Sequence, residues 1–127
     1  MAGIFPGRAH ITATLQEEGG GEKEYRLFKI SAHDEATIFD LALNGQAGQP
    51  DQARGAMIAH HTRVEIELVS RSLLPGMEVD LSELRKECEQ NLSRADLSAL
   101  FDKAADYNGI DYERAVEKLD ADQLKKL

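Results

Sequence analysis

The stretch 80-DLSELRKECEQNLSRADLSALFDKAADYNGIDYERAVEKL-119 decides the fold, because helix start and stop signals follow one another in it without a gap. Asp80 with Glu83 has D-x-x-E spacing, and Ser93 with Asp96 has S-x-x-D spacing. In each pair a short side chain can accept a hydrogen bond from a free backbone N–H, and the carboxylate favours the positive end of the helix. The stretch therefore predicts three short consecutive helices.

The middle helix of this stretch has a single apolar stripe. Its members recur at the i, i+3, i+4, i+7 spacing of one helix face: Leu97, Leu100, Phe101 and Ala104. Asn108-Gly109 then ends the helix, since Gly109 suits the left-handed position that follows a helix. Ile110 and Asp111 begin a last helix that should reach Leu119.

The composition is that of one ordinary folded domain. With 127 residues, 42% hydrophobic and 30% charged, the chain can bury a modest core and is not a disordered protein. Fifteen basic against 23 acidic side chains give a net charge of −8. This charge disfavours non-specific binding to nucleic acid, because such binding needs a basic face that displaces counterions. It suits a partner with a basic surface.

Cys88 is the single cysteine, which excludes an internal disulfide and a zinc site made of cysteines. We interpret it as a small apolar helix residue, since glutamates around it offset the nearby basic side chains that would activate a thiol. No apolar run approaches the length of a membrane span, and residues 1–7 carry no signal-peptide pattern. We therefore expect a cytoplasmic protein without membrane contact.

The N-terminal part predicts a β-hairpin over 8–30. Apolar and polar side chains alternate from Arg8 to Leu15 and from Glu24 to Ile30, and the segment 16–23 between them contains three consecutive glycines. A lone hairpin is marginally stable in water, so it must pack on helices or pair with another chain. Its unpaired edges offer a route to oligomers.

A helix and a linker follow the hairpin. Ser31 and Asp34 repeat the S-x-x-D start and predict a helix over 31–44, which Asn44-Gly45 should end. The segment 45–55 contains Gly48-Gln49-Pro50 and is predicted to be a linker and the place of any hinge.

The segment 56–74 admits two interpretations. Val64, Ile66 and Leu68 alternate with glutamates, which favours a strand, but neither Gly nor Pro interrupts the segment and its length favours a helix with a wide buried face. We predict a helix. The fold is then α+β, an N-terminal β-hairpin packed on a mainly α-helical domain of four to five helices. It forms a single domain over 1–127, with helical part 56–119 and a fraying tail 120–127.

No metal or cofactor site is expected from the histidines. They are His10, His33, His60 and His61. Neighbouring residues on a helix point about 100° apart, so His60-His61 is not a chelating pair.

Asp102, Asp106 and Glu113 occupy the first, fifth and twelfth positions of a calcium EF-hand loop. However, Ala104 stands at the third ligand position and Tyr107 replaces the turn glycine, so the loop supplies too few oxygens for calcium. We favour two helices joined by a turn.

No nucleophile or phosphate-binding motif accompanies these residues, since G-x-S-x-G, G-x-x-x-x-G-K and G-x-G-x-x-G are absent. We therefore predict a protein that is not an enzyme.

The order of the parts resembles a known family. The pattern S-x-x-D-L-x-x-L-F-x-x-A-x-x-x-N-G-I runs from Ser93 to Ile110, after a strand pair, a helix and a long helix. This order is similar to that of the tail assembly chaperones of long-tailed bacteriophages, over most of 25–119. The resemblance implies a protein that oligomerises, coats the tape measure protein and recruits tail tube subunits. It also implies a frameshift-extended form, which the ending Leu124-Lys125-Lys126-Leu127 would permit.

We therefore predict a non-enzymatic, homo-oligomeric protein that binds other proteins through apolar helix faces. The predicted interaction residues are Met57, His61, Val64, Leu68, Leu97, Leu100 and Phe101. The alternative is a small acidic inhibitor or nucleic-acid mimic that blocks a basic groove on its target. Clustered acids such as Glu83, Glu87 and Glu89 would then make the contact.

Overall fold

The structure is a computed structural model that describes residues 8–17, 19–46 and 53–110, the side chains of 44–46 and 53–59 excepted. In chain order its elements are β1 (His10–Gln16), β2 (Glu22–Phe28), α1 (Ala32–Gln46), α2 (Ala53–Leu73), a 3₁₀ turn (Leu74–Gly76), α3 (Leu81–Asn91) and α4 (Arg94–Tyr107). The predicted α+β fold, a hairpin followed by helices, is confirmed.

The two strands form an antiparallel hairpin whose register runs from His10 opposite Phe28 to Gln16 opposite Glu22. The turn closes with the Glu17 N–H donating to the Gly21 carbonyl at 2.7 Å. Gly19 and Gly20 have φ of 98° and 95°, a region in which side chains with a Cβ are strained. The glycine run therefore shapes the turn.

One face of the hairpin packs on the helices. Ala13 and Leu27 are buried, whereas Thr12, Thr14 and Arg26 on the opposite face are exposed. The buried face lies against α2 and α4. This alternation is the one that the sequence predicts, and it explains how the two described strands are held against the helices.

The three helix starts predicted from S-x-x-D and D-x-x-E spacing are present as side-chain caps. Asp80 accepts from the Glu83 N–H at 2.8 Å and Ser93 from the Asp96 N–H at 3.1 Å, at the starts of α3 and α4. Ser31 accepts from the Asp34 N–H at 3.1 Å at the start of α1. Each cap satisfies a backbone donor that the helix leaves free and contributes about 1 kcal/mol.

The end of α4 is a left-handed turn at Gly109, which has a φ of 67°. The Ile110 N–H donates to Ala105 at 2.8 Å and the Gly109 N–H to Asp106 at 3.1 Å, the two bonds of a Schellman motif. Asn108 adds a tertiary contact, because its Oδ1 accepts from the Ile30 N–H at 2.9 Å. The residue that helps to end α4 thus also connects this helix to the residues that follow the hairpin.

Helix α2 is the centre of the molecule and contacts α1, α3, α4 and β2. Val64, Leu68 and Val69 are fully buried and Leu73 nearly so. The helix prediction for 56–74 is confirmed and the strand alternative is wrong. The helix carries apolar residues on several of its faces, because neighbouring elements cover it on several sides. Apolar residues on several faces can alternate locally with polar ones, as they do in a strand.

Two polar clusters join α2 to its neighbours. Glu65 is 1% exposed; its Oε2 accepts from Ser98 Oγ at 3.0 Å, and its Oε1 lies 3.2 Å from Arg94 Nη1 on α4. In the second cluster Arg71 contacts Asp34 on α1 and Glu67 on its own helix. Arg85 of α3 reaches Glu67 at 2.6 Å, so this second cluster connects three helices.

The helices on both sides of the predicted linker are longer than predicted. Helix α1 continues through Asn44-Gly45 to Gln46, and α2 begins at Ala53, so the predicted linker 45–55 is too long at both ends. A glycine inside a helix costs about 1 kcal/mol relative to alanine and does not forbid the helix. The segment 47–52, the helix predicted to reach Leu119 and the tail 120–127 lie outside the described residues.

Candidate functional site

Five of the seven residues predicted to bind a partner lie in the core. Val64, Leu68 and Leu100 are fully buried, and Leu97 and Phe101 retain 4% and 8% exposure. They pack α2 against α4, so in this fold they are not available on the surface. His61 is half-buried, with its ring centroid 5.9 Å from that of Phe101. The side chain of Met57 lies outside the described residues.

The histidines are dispersed among structural contacts. His60 Nε2 lies 3.3 Å from the Ala42 carbonyl of α1, and His61 Nε2 lies 3.8 Å from Glu65 Oε1. His10 stacks at an angle on Phe28, with ring centroids 4.8 Å apart. Within 8–17, 19–46 and 53–110, no group of three or more histidine, cysteine or acidic side chains is placed to hold a metal ion.

Asp102 and Asp106, the first candidates for a calcium loop, both lie on α4, which continues to Tyr107. An EF-hand needs an irregular loop at these positions, whereas here the backbone is helical. Glu113 lies outside the described residues.

Cys88 is buried on α3, and Ser70 Oγ donates to its Sγ at 3.6 Å. Burial raises the pKa of the thiol above its ordinary value of 9.0, and Glu87 adds to the rise, although the bond from Ser70 opposes it. A thiol with a raised pKa is a poor nucleophile near neutral pH. Cys88 therefore behaves as a packed apolar residue.

An apolar groove of about 300 Å³ lies between β2, the loop after the 3₁₀ turn, and α3. Its lining includes Tyr25 of β2, Leu84 of α3 and Leu100 of α4. Met77 and Val79 also line it and are 37% and 39% exposed, and among the described side chains no other large hydrophobic residue is exposed. The groove therefore has an apolar floor and an apolar rim.

Opposite charges lie on two walls of this groove. Lys23 of β2 lies over the Tyr25 ring, its Nζ 5.3 Å from the ring centroid. Glu87 of α3 accepts a hydrogen bond from Asn91 at 2.7 Å. Neither charge belongs to an ion pair within the part of the chain that the structure describes. Both are exposed and free to meet a partner's charges.

The second surface feature is the outer edge of β1. The Lys29 N–H donates a hydrogen bond to the Ala9 carbonyl, and the Glu17 N–H donates one to the Gly21 carbonyl. Because hydrogen-bonded positions alternate along an antiparallel ladder, the odd-numbered residues of β1 bond to β2. The N–H and C=O groups of Thr12 and Thr14 therefore point away from β2. In the described residues the sheet has two strands. The edge at Thr12 and Thr14 is therefore unpaired there.

The edge of β2 is better protected. Its outward positions include Glu22, Glu24 and Arg26, and charges on an edge discourage pairing with another strand. The 3₁₀ turn also approaches it, since a Cβ at Gly76 would lie 3.1 Å from the Phe28 ring. At β1 the corresponding residues are uncharged or histidine: His10, Thr12, Thr14 and Gln16.

Neither Met77, Val79 nor Lys23 is among the residues that sequence reasoning selected. The available signal is local: Met77 and Val79 are two apolar residues on either side of Glu78, in the three-residue segment between the Pro75-Gly76 stop and the Asp80 start. Their exposure follows from the fold.

Within the described residues, none of the helices combines the length and the hydropathy of a membrane span. Comparisons with protein-family profiles, curated proteins and solved structures find no match to this chain.

Proposed function

We propose that this chain is a non-enzymatic protein-binding protein that assembles with copies of itself and with other proteins, in the manner of a bacteriophage tail assembly chaperone. The observation that carries the proposal is the edge of β1 at Thr12 and Thr14, which is unpaired within the part of the chain that the structure describes. A partner segment in extended conformation would add to this edge as a third strand.

Addition of a strand suits an assembly protein. Main-chain hydrogen bonds supply affinity for many sequences, and alternate side chains of the added strand supply the remaining selectivity. Proteins that must avoid such pairing place charges or prolines on their edges. The uncharged threonines of β1, beside the charged positions of β2, are consistent with an edge that is left open for use.

The proposal is tested by co-expression with the tape measure and tail tube proteins of the same genome. We compare Thr14→Pro with the matched control Thr14→Val. Proline removes the outward N–H and is tolerated on an edge strand, whereas valine keeps the N–H and suits a strand. We expect Thr14→Pro to lose most of the co-purified tail protein and Thr14→Val to retain it, with unchanged circular dichroism in both.

Equal binding by both variants would contradict the role of the edge. A chain that remains monomeric at all concentrations and binds no tail protein would contradict the function itself.

A second candidate is the acidic inhibitor, because α3 exposes Glu83, Glu87 and Glu89 to solvent. Binding of a basic groove by these carboxylates should weaken steeply with salt and after charge reversal at the three positions. Binding along the β1 edge should depend much less on either change.

A further inference from the structure

We infer that the groove between β2 and α3 binds a second copy of this chain in a two-fold symmetric dimer. The inference rests on the self-association in the proposed function and assigns it a surface. In this dimer Met77 and Val79 of each copy cover the groove of the other, and Lys23 of each copy faces Glu87 of the other.

The projecting apolar residues and the groove occupy one patch of the surface. A two-fold interface brings the same surface of both copies together, so that surface must be complementary to itself. Met77 and Val79 are the exposed large hydrophobic side chains of the described chain, and both stand on the rim of the apolar groove. A two-fold axis that passes through the groove, between its walls, places these side chains of one copy over the floor of the other.

The charges beside the groove also suit a two-fold axis. Lys23 lies on the β2 wall and Glu87 on the α3 wall of the same groove. An axis that passes between the walls exchanges them, so each lysine approaches the glutamate of the partner copy and two reciprocal ion pairs form. Exposed pairs contribute little compared with apolar contacts, so these pairs orient the copies while the apolar contact supplies most of the affinity.

The size of the groove also favours a protein partner. A groove of about 300 Å³ is at the lower end of the range for small-molecule sites, about 300–1,000 Å³. It suits a few inserted side chains better than a large ligand. A contact of this limited extent predicts a weak, reversible dimer rather than a permanent one.

The first experiment is sedimentation equilibrium of the full chain over a wide concentration range. We compare wild type with Val79→Asp and with the control Ala32→Asp. The control adds the same charge at an exposed position in the first turn of α1, where a carboxylate favours the helix. The described residues of α1 do not line the groove.

We expect Val79→Asp to raise the dimer dissociation constant at least about tenfold, because a carboxylate buried in the interface must lose its hydration. Ala32→Asp should leave the constant within about twofold, since its charge stays in water. Circular dichroism and thermal unfolding verify that both variants fold.

The second experiment is a charge exchange. Lys23→Glu and Glu87→Lys should each weaken the dimer severalfold, because each creates like charges across the axis, and the double variant should restore it. Thr14→Pro should leave the dimer intact, since it changes the β1 edge alone. Restoration by the double variant is a result that a purely structural role of either residue would not produce.

An unchanged dissociation constant in Val79→Asp overturns the inference, and so does a double variant that remains as weak as the single ones. An oligomer that persists in Val79→Asp and is lost in Thr14→Pro places self-association at the strand edge and leaves the proposed function standing. A wild-type chain that is monomeric at every concentration overturns both the inference and the self-association in the proposed function.

Discussion

Asn108 shows how a single side chain connects local and tertiary structure. Its Oδ1 accepts from the Ile30 N–H at 2.9 Å, and its Nδ2 donates to the Ala104 carbonyl at 2.8 Å. The amide thus satisfies one group at the exit of the hairpin and one at the end of α4. Asn-Gly is a familiar helix stop, but the bond to Ile30 spans most of the chain and has no local sequence signature.

We predict that Asn108→Ala lowers the free energy of unfolding by about 1–3 kcal/mol, because it leaves the Ile30 N–H without its acceptor. Urea denaturation measures the change. Asn91→Ala is the matched control, since Asn91 donates to the exposed Glu87, and we expect a change within about 0.5 kcal/mol. Equal losses in the two variants would show that the Asn108 bond contributes nothing specific.

The buried thiol of Cys88 predicts how the stability of the fold depends on pH. Because burial raises the pKa of the folded thiol above its ordinary value of 9.0, the folded state holds this proton more tightly than the unfolded chain. The resulting stability is fully present below pH 9.0 and is lost as the pH rises towards the pKa of the folded thiol. Wild type should therefore lose more stability than Cys88→Ala above that pH, as measured by urea denaturation at a series of pH values.

The same burial should protect the thiol from reaction. We expect Cys88 to react slowly with a disulfide reagent at neutral pH, and rapidly once the chain is unfolded in urea. Fast reaction of the native protein would mean that α3 leaves the core readily.

At the scale of elements, α2 is held by charges as well as by apolar packing. Arg71 is 11% exposed and lies between Asp34 of α1 and Glu67 of α2, whereas Arg85 of α3 is 38% exposed and contacts Glu67. The same substitution at Arg71 and at Arg85 therefore compares a mostly buried ion pair with a more exposed one.

We predict that Arg71→Met destabilises the protein by about 2–4 kcal/mol, because the partly buried Asp34 loses the guanidinium that it contacts and Glu67 keeps only Arg85. Arg85→Met should cost about 1 kcal/mol or less, since its charge is better solvated. Urea denaturation of the two variants provides the comparison. An equal cost would indicate that the network is screened by solvent and holds no helix in place.

The helix starts and stops belong to the same scale and are predictable from sequence. The caps at Ser31, Asp80 and Ser93 and the left-handed Gly109 are all present, because each bond joins residues only a few positions apart. The predicted end of α1 is wrong, because a stop signal of Asn44-Gly45 is a preference that a helix can override.

At the scale of the whole molecule, the net charge of −8 opposes association of two copies. We therefore predict that self-association strengthens between roughly 0.05 and 0.5 M NaCl, because salt screens this repulsion more than it weakens a largely apolar contact. EDTA should leave the mass unchanged. Sedimentation equilibrium across salt measures the effect, and a mass that falls with salt would favour contacts made by charge.

What the sequence determines by itself is the set of elements. The alternation in the hairpin, the caps, the glycine turn and the α4 stripe all depend on neighbours within a few residues, where backbone geometry and side-chain reach are the same in any fold. The choice of helix for 56–74 is also correct, and the length of that segment decides it.

Only the tertiary structure decides which apolar surfaces are core and which face solvent. The stripe from Val64 to Leu68 and the stripe of α4 are expected from sequence to bind a partner, and they pack on each other instead. Among the described side chains, Met77 and Val79 in a short loop are the exposed large hydrophobic residues. Burial depends on which distant segments meet, and that depends on the sum of many weak contacts rather than on any local pattern.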